Sequence, residues 1–191
     1  MSAPHGRIRL ARPEDAAAIA AIYGPIVRDT AISFEAEPPD ETQVRARIAK
    51  TLQRHPWLVL ERSGGVAGYA YAGAHRERAA YQWSVDVSCY VHPAHHRTGA
   101  GRALYGALFR VLQAQGFHSA YAGIALPNEP SVALHRAVGF EPVGTYREVG
   151  FKLGQWRDVA WWWRRLQDAA TVPAPPVPLP DLLRGGVLDE A

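Results

Sequence analysis

The feature that most constrains this chain is an alternating strand that runs through a glycine loop into a helix. Between residues 83 and 91, apolar and polar side chains alternate, which is typical of a strand with two chemically different faces. The loop 92–99 follows, and a helix is predicted from about residue 101 to residue 115, ended by Gly116. A strand, a loop and a helix in this order indicate an α/β protein.

The loop has the composition of a pyrophosphate site. Gly99 and Gly101 let the backbone bend tightly and approach a ligand, and the first turn of the next helix presents unpaired N–H groups. Arg97 and Arg102 add positive charge beside this helix start. The segment has no Walker lysine, and the dinucleotide pattern fails at Leu104, where a third glycine is needed. The glycine pair alone would also suit a simple turn before a helix.

Strands and helices alternate along the rest of the chain. Helices are predicted from Pro13, from Asp40, which can act as an N-cap, and over 131–138. The other predicted strands are 7–11, 57–61, 66–74, 119–125, 141–148 and 159–166. The order of elements predicts an α/β fold of mixed type.

Length and composition narrow the class of protein. Five prolines fall between residues 173 and 180 of a 191-residue chain, so we predict one domain over 1–166 and a Pro-rich tail, 167–191, outside the core. The single cysteine, Cys89, excludes an internal disulfide framework. The sequence contains no run of about 18 apolar residues, so no membrane span is predicted. Residues 1–12 lack the apolar stretch of a secretory signal. The net charge of +3 is spread along the chain and suits a small anionic ligand better than nucleic acid.

Several motifs resemble those of the GNAT N-acetyltransferases. The loop His96-Arg97-Thr98-Gly99-Ala100-Gly101 is similar to their acyl-CoA pyrophosphate pattern, with His96 in place of the usual first residue. The segment 126–140, which carries Asn128, Ser131 and His135, resembles a second feature of the family. Further segments narrow the resemblance to the phosphinothricin and methionine sulfoximine N-acetyltransferases: 71–73, 83–91, 115–117 and 150–158.

The resemblance implies a fold and a reaction. The fold is of the α+β type, with a mixed, mostly antiparallel central sheet flanked by helices. In the reaction, the primary amine of a small amino-acid-like substrate attacks acetyl-CoA directly, and no metal is needed. The resemblance also implies a cytoplasmic homodimer, with one face of Trp161-Trp162-Trp163 in the core and the other at the subunit interface. Neither nucleic acid nor a membrane is expected as a partner.

Two side chains are candidates for proton transfer. Asp86 matches a carboxylate of the subfamily and is the candidate general base; the alternative is a solvated residue on an open sheet face. Because Asp is shorter than the Glu familiar in relatives, we expect proton transfer through a water. His135 stands where many relatives carry a tyrosine acid, and the alternative is a histidine packed beneath the CoA arm.

The resemblance also assigns binding residues. Arg76 could hold the carboxylate of an amino-acid-like substrate, unless it is only a solvated loop arginine. The residues expected to shape the acceptor pocket are His75, Arg76, Glu77, Asp86, Val87 and Ser88, with Phe34 and Lys152 at its border. The residues expected to bind acetyl-CoA are Cys89, Tyr90, Val91, Arg97, Thr98, Gly99, Ala100, Gly101, Arg102, Asn128 and Ser131.

Other functions compete with this interpretation. A metal site at His92, His95 and His96 lacks a nearby carboxylate or cysteine ligand. Covalent catalysis by Cys89 is not needed for direct transfer. A GNAT enzyme for another amine (a polyamine, another amino acid or a protein N-terminus) and a non-catalytic acyl-CoA sensor both stay open. A nucleic-acid module would need a more clustered positive charge.

Overall fold

A seven-stranded sheet with the order β1-β2-β3-β4-β5-β7-β6 forms the centre of the computed structural model, which describes residues 6–185. All neighbouring strands are antiparallel except β4 and β5, which are parallel. This architecture confirms the expected mixed, mostly antiparallel sheet. The strands are β1 Arg7–Leu10, β2 Trp57–Arg62, β3 Gly65–Ala74, β4 Ser84–Val91, β5 Ser119–Ala125, β6 Glu141–Lys152 and β7 Gln155–Arg165. The helices are α1 Ala16–Asp29, α2 Glu41–Leu52, α3 Ala100–Gln115, α4 Glu129–Ala137 and α5 Leu179–Arg184.

Helices cover both faces of the sheet, and the alternation in β4 separates the two layers. Val85 and Val87 are buried in the cluster that contains Leu104 and Leu108 of α3. Tyr90 points the other way and packs against the cluster built by α1 and α2, which includes Ile48. The strand therefore has one apolar face under α3 and one mixed face on the side of α1 and α2, as its period of two predicts.

The parallel pair of strands separates soon after it forms. β4 pairs with β5 only from Ser84 to Asp86, whereas on its other side it pairs with β3 as far as Val91. Beyond Tyr121, β5 pairs only with β7. A wedge therefore opens between the two strands, closed at Asp86 and open towards the loop that follows Val91.

Two features differ from the sequence predictions. The last two strands are longer than expected and meet in a hairpin at Leu153-Gly154, so that Lys152 lies in β6. The Pro-rich tail was expected to lie outside the core, and for part of it this is wrong. Leu179 and Leu182 of α5 are buried against Val111 of α3, because the chain returns after the prolines and covers an apolar end of the domain. Among the described helices, none has the length and apolarity to cross a membrane.

Candidate active site

The open edge of β4 lies along one side of the wedge. From Val87 to Val91, this strand has no β5 partner, so its backbone groups on that side are available to an extended ligand. The expected ligand-binding residues Cys89, Tyr90 and Val91 lie on this edge. Burial raises the pKa of Cys89 to about 12, which keeps the thiol neutral and suits a packing role rather than a nucleophile.

The glycine loop forms the open end of the wedge. Gly99 has a φ of 79°, in the left-handed region that favours glycine, and it is the N-cap of α3. The first backbone bond of the helix runs from Ala103 N to Gly99 O, at 3.0 Å, so the preceding N–H groups face the mouth of the loop. A Cβ at Gly101 would lie 2.8 Å from Leu134, so α3 and α4 pack closely here. The structure thus brings the predicted glycine residues together at a helix start whose N–H groups could hold an anion.

Side chains brace this loop from both ends. The Thr98 hydroxyl donates to His95 O at 2.7 Å and accepts from Arg62 at 2.5 Å. Arg97 and Arg102 are exposed, whereas Ala100 is buried and can offer only its N–H. The loop therefore presents backbone donors and two free-standing guanidinium groups to solvent, which is the chemistry that a pyrophosphate needs.

Two of the three neighbouring histidines form side-chain hydrogen bonds with the backbone of this segment. His96 Nε2 donates to Val91 O at 2.9 Å, and His92 Nδ1 accepts from Ala94 N at 3.2 Å. Within residues 6–185, no group of three or more His, Cys, Asp or Glu side chains is placed to hold a metal ion. His96, which departs from the family pattern, thus ties the loop to the end of β4.

Asp86 lies at the closed end of the wedge, on the sheet face that looks towards α1 and α2. Its Oδ1 is 2.7 Å from Nδ1 of His75, which follows β3. Burial raises the pKa of the Asp86 carboxyl, and the hydrogen bond from His75 and the charge of Arg76 act in the opposite direction. Arg76 donates to His75 O and stacks over Trp161 at 5.8 Å. The structure therefore brings three of the predicted acceptor residues into contact.

A cavity of about 350 Å³ opens beside these groups. Arg76 and Glu77 line it, together with Arg78, Tyr81 and Ser84, and Ser84 lies on the same face of β4 as Asp86. Sequence reasoning missed Arg78 and Tyr81, although the loop already contained Arg76. Neither Asp86 nor His75 lines the cavity, so it adjoins the pair through Arg76 and Ser84, and its charged lining combines arginines with Glu77.

Other predicted acceptor residues have different positions. Val87 is 5 % exposed and packs in the core under α3, so any contact with a ligand would go through its backbone. Ser88 is half-buried on the same face as Asp86, opposite Tyr71 of β3. Of the expected pocket side chains in β4, Asp86 and Ser88 thus face the side of Arg76, and Val87 does not.

The expected border residues form a structural tie. Lys152 Nζ donates to three carbonyl oxygens, those of Val27, Ser33 and Glu35, at 2.6, 2.6 and 2.8 Å. The Phe34 ring lies against the backbone at residue 150, close enough that a side chain there would collide with it. Because all three ammonium protons are used, Lys152 joins the α1–α2 loop to the β6–β7 hairpin rather than offering a free charge.

His135 is buried beneath the wedge. Its Nδ1 donates to Ser131 O at 2.7 Å, and its Nε2 lies 2.9 Å from the Tyr105 hydroxyl. Burial lowers the pKa of His135, so the ring is neutral and Nε2 accepts from Tyr105. Tyr105 was not predicted as a site residue, and only its place in α3, thirty residues from His135, could have suggested it.

The start of α4 explains the remaining two predictions. Asn128 Oδ1 accepts from Ser131 N at 3.2 Å, so Asn128 is the N-cap of the helix. Pro130 has no N–H, and Val132 N donates to Asn128 O at 3.1 Å, so Glu129 carries the remaining N–H of this first turn. Asn128 and Ser131 thus have a structural role at a helix end that lies on the same side of the sheet as α3.

Comparison with known proteins gives a consistent result. Residues 8–161 match the acetyltransferase (GNAT) domain family. The chain is 41% identical over 172 residues to the phosphinothricin N-acetyltransferase of Streptomyces viridochromogenes. That match covers 90% of this chain and 92% of that protein. It is 35% identical to the L-methionine sulfoximine/L-methionine sulfone acetyltransferase of Salmonella typhimurium. That match covers 85% of this chain and 96% of that protein. A crystal structure of a GNAT superfamily phosphinothricin acetyltransferase from Sinorhizobium meliloti in complex with AcCoA superposes with a TM-score of 0.85, at 36% identity, over 89% of this chain and 94% of that one.

Proposed function

Because the chain belongs to the GNAT acetyltransferase family, we propose that it moves the acetyl group of acetyl-CoA to the primary amine of a small amino-acid-like substrate, of the phosphinothricin or methionine sulfoximine type. The observation that carries this proposal is the wedge between β4 and β5. It has an anion-binding helix start at its open end and a carboxylate at its closed end. A thioester that enters with its phosphates at the loop would point its reactive end at Asp86.

The donor half of the site fits coenzyme A. The N–H groups of Ala100 and Gly101, with Arg97 and Arg102, would hold the pyrophosphate. The free edge of β4 from Cys89 to Val91 would pair with the amides of the pantetheine arm, as an added strand pairs with a sheet edge. Asn128 and Ser131 would border the arm from the start of α4.

The acceptor half supplies the base. The ammonium group of the substrate gives one proton to Asp86, directly or through a water, and the neutral amine attacks the thioester carbonyl carbon. The new N–C bond forms a tetrahedral intermediate. The C–S bond then breaks, and the second proton of the nitrogen passes through water or a side-chain acid to the leaving thiolate, which gives the CoA thiol. We expect Asp86→Asn to reduce turnover strongly while the affinity for acetyl-CoA stays near that of the wild type.

The arginines of the β3–β4 loop support an acidic substrate. Arg76 and Arg78 line the cavity there, and a guanidinium group can hold a carboxylate or a phosphinate through two parallel hydrogen bonds. The relatives named for phosphinothricin and methionine sulfoximine support the same class of small amino acid. The use of acetyl-CoA supports a cytoplasmic location.

The role of His135 as an acid is open to a direct test. Both of its ring nitrogens have protein partners, and its lowered pKa disfavours the protonated form, so the geometry supports a packing role beneath the arm. If His135 packs, His135→Phe keeps a normal kcat and loses stability. If it supplies the proton to the thiolate, kcat falls in His135→Phe at all pH values.

We also propose a homodimer, formed by the β6–β7 hairpin. Six apolar side chains of these strands and their turn are at least half exposed, and the rings of Phe151 and Trp156 contact each other; exposed apolar surface of this kind marks interaction sites. Light scattering should give a dimer for the wild type and a monomer for Phe151→Glu, with Val172→Glu in the exposed tail as the control. A wild-type monomer would contradict this proposal. The six are Val143, Tyr146, Val149, Phe151, Leu153 and Trp156.

One experiment tests the main proposal. Release of the CoA thiol from acetyl-CoA is followed with a panel of amines that includes phosphinothricin, methionine sulfoximine, common amino acids, a polyamine and a peptide. Activity on the first two supports the proposal. Activity on a peptide or a polyamine alone would assign another amine, and acetyl-CoA binding without thiol release for any amine would point to a sensor. Salt-dependent binding to duplex DNA would support a nucleic-acid role instead.

A further inference from the structure

The carboxylate at the closed end of the wedge is held by a histidine. His75 Nδ1 lies 2.7 Å from Asp86 Oδ1, and the side chains are 12% and 38% exposed. An ionised carboxylate can only accept hydrogen bonds, so Nδ1 carries the proton in this pair. Within residues 6–185, the structure gives Oδ2 no hydrogen-bond partner. One oxygen of Asp86 is thus fixed and the other is free.

Aromatic rings hold the histidine itself in place. The His75 ring stacks on Tyr121 with centroids 4.4 Å apart and an angle of 16° between the planes. Tyr81 and Trp161 meet it edge-on at 5.9 and 6.2 Å. Tyr121 is also the β5 partner of Asp86, so the same short stretch of parallel pairing sets the positions of both members of the pair.

The position of the carboxylate explains why it needs such a partner. Asp86 lies in the middle of a strand, where burial favours the neutral acid, and a neutral carboxyl group cannot take a proton from an ammonium group. The side chain is also short and would otherwise be free to turn about its own bonds. A hydrogen-bond donor held rigidly at one oxygen counteracts both effects.

We propose that His75 is a positioning residue for acetyl transfer, which fixes Oδ1 of Asp86 through Nδ1–H and leaves Oδ2 to take the proton of the amine. This inference rests on the proposed function, because it assumes that Asp86 is the base. In the step itself, an ammonium N–H bond breaks and its proton goes to Oδ2, directly or through one water. His75 keeps its own Nδ1 proton throughout and gains none.

The groups around the pair set the expected pH dependence. Arg76 is the other charged group that acts on Asp86, and its charge also favours the carboxylate. Tyr81 and Tyr121 contact the ring of His75, and Glu77 lies exposed next to Arg76. Removal of the His75 donor leaves Arg76 in place, so part of the stabilisation of the ionised Asp86 carboxylate persists.

Two substitutions of His75 separate its donor from its ring. His75→Asn keeps a side-chain N–H near the position of Nδ1, and His75→Phe keeps a flat ring against Tyr121 without a donor. With acetyl-CoA and phosphinothricin as substrates, we expect the acidic limb of the kcat/KM profile to move up by about one pH unit in His75→Phe. In His75→Asn, the limb should stay close to that of the wild type. A purely structural histidine would lower kcat in both variants without moving the limb.

A second measurement needs no substrate. The carboxyl carbon of Asp86 is titrated by NMR in the free enzyme, and nitrogen shifts report which ring nitrogen of His75 is protonated. We expect an Nδ1–H tautomer in the wild type and a higher Asp86 pKa in His75→Phe. If the wild type acetylates none of the amines while this titration behaves as expected, the proposed function fails and the pairing stands.

Three results would overturn the proposal. The first is an unmoved acidic limb and an unmoved Asp86 titration in His75→Phe. The second is an Nε2–H tautomer of His75, since a ring without a proton on Nδ1 cannot hold the carboxylate. The third is an Asp86→Asn variant that remains active while His75→Phe is inactive, because the imidazole would then be the base.

Discussion

The buried face of α5 allows a direct test of whether the Pro-rich tail contributes to stability. Leu179 is 1% exposed in a small cluster with Val111 and Leu182, and its N–H donates to Arg54 O at 3.2 Å. Replacement of Leu179 by alanine removes three carbon atoms from this cluster and leaves the backbone bond in place. We therefore expect Leu179→Ala to destabilise the protein through lost burial alone.

The expected loss follows from the size of the cluster. Buried Leu→Ala substitutions cost about 2–5 kcal/mol, and a small cluster at the edge of a domain can relax around the gap, so we expect about 2–3 kcal/mol here. For a chain of this length, such a loss lowers Tm by roughly 4–12 °C. Urea unfolding followed by circular dichroism measures the free energy of unfolding, and thermal melts check the shift in Tm.

Leu183 supplies the matched control. It lies on the same helix and is 41% exposed, so Leu183→Ala makes the same chemical change outside the cluster. We expect this variant to lie within about 0.5 kcal/mol of the wild type. Equal losses in the two variants, or no loss in either, would refute the idea that α5 closes the apolar end of α3.

Three shorter predictions concern the site and the core. Gly99→Ala should raise the Kd for acetyl-CoA in calorimetry, because alanine is strained at a φ of 79° by about 1–2 kcal/mol. Gly99→Asn should raise the Kd less. Equal Kd values for the wild type and both variants would contradict this prediction. Burial lowers the pKa of His55 to about 4, so below about pH 6.5 the unfolded chain binds a proton that the folded chain excludes. The free energy of unfolding should thus fall as the pH drops from about 6.5 to about 4, and urea titrations of His55→Phe should show a flatter slope. Cys89→Ala should keep its kcat, and an inactive variant would revive a covalent mechanism.

Local patterns predicted the parts of the site that depend on local chemistry. The period of two in β4 gave the correct faces for Val85 and Tyr90, because neighbouring side chains in a strand point to opposite sides. The tight bend predicted at Gly99 agrees with its left-handed backbone. Neither property needs knowledge of the rest of the fold.

Contacts between distant segments could not be predicted in the same way. The pairing of His75 with Asp86 depends on the register of β3 and β4, and the burial of Leu179 depends on a gap at the end of α3. The prolines at 173–180 predicted extended chain, but Pro180 lies in the first turn of α5, and composition does not say whether a chain leaves the domain or returns to it. The hydrogen bonds of Lys152 could not be predicted for the same reason, since only the folded hairpin brings its ammonium group to three carbonyl oxygens.

The topology also explains why the donor site was easier to predict than the acceptor site. Parallel neighbours such as β4 and β5 cannot be joined by a tight turn, so a crossover helix must begin at the end of β4. The start of α3 therefore lies at the mouth of the wedge whatever the substrate, and the glycine loop before it, together with the family motif, indicates a phosphate site. The proposed acceptor side has no such constraint, because most of its charged groups come from the loop between β3 and β4. Exchange of Arg76 or Arg78 should thus change which amine is acetylated and leave the affinity for acetyl-CoA unchanged.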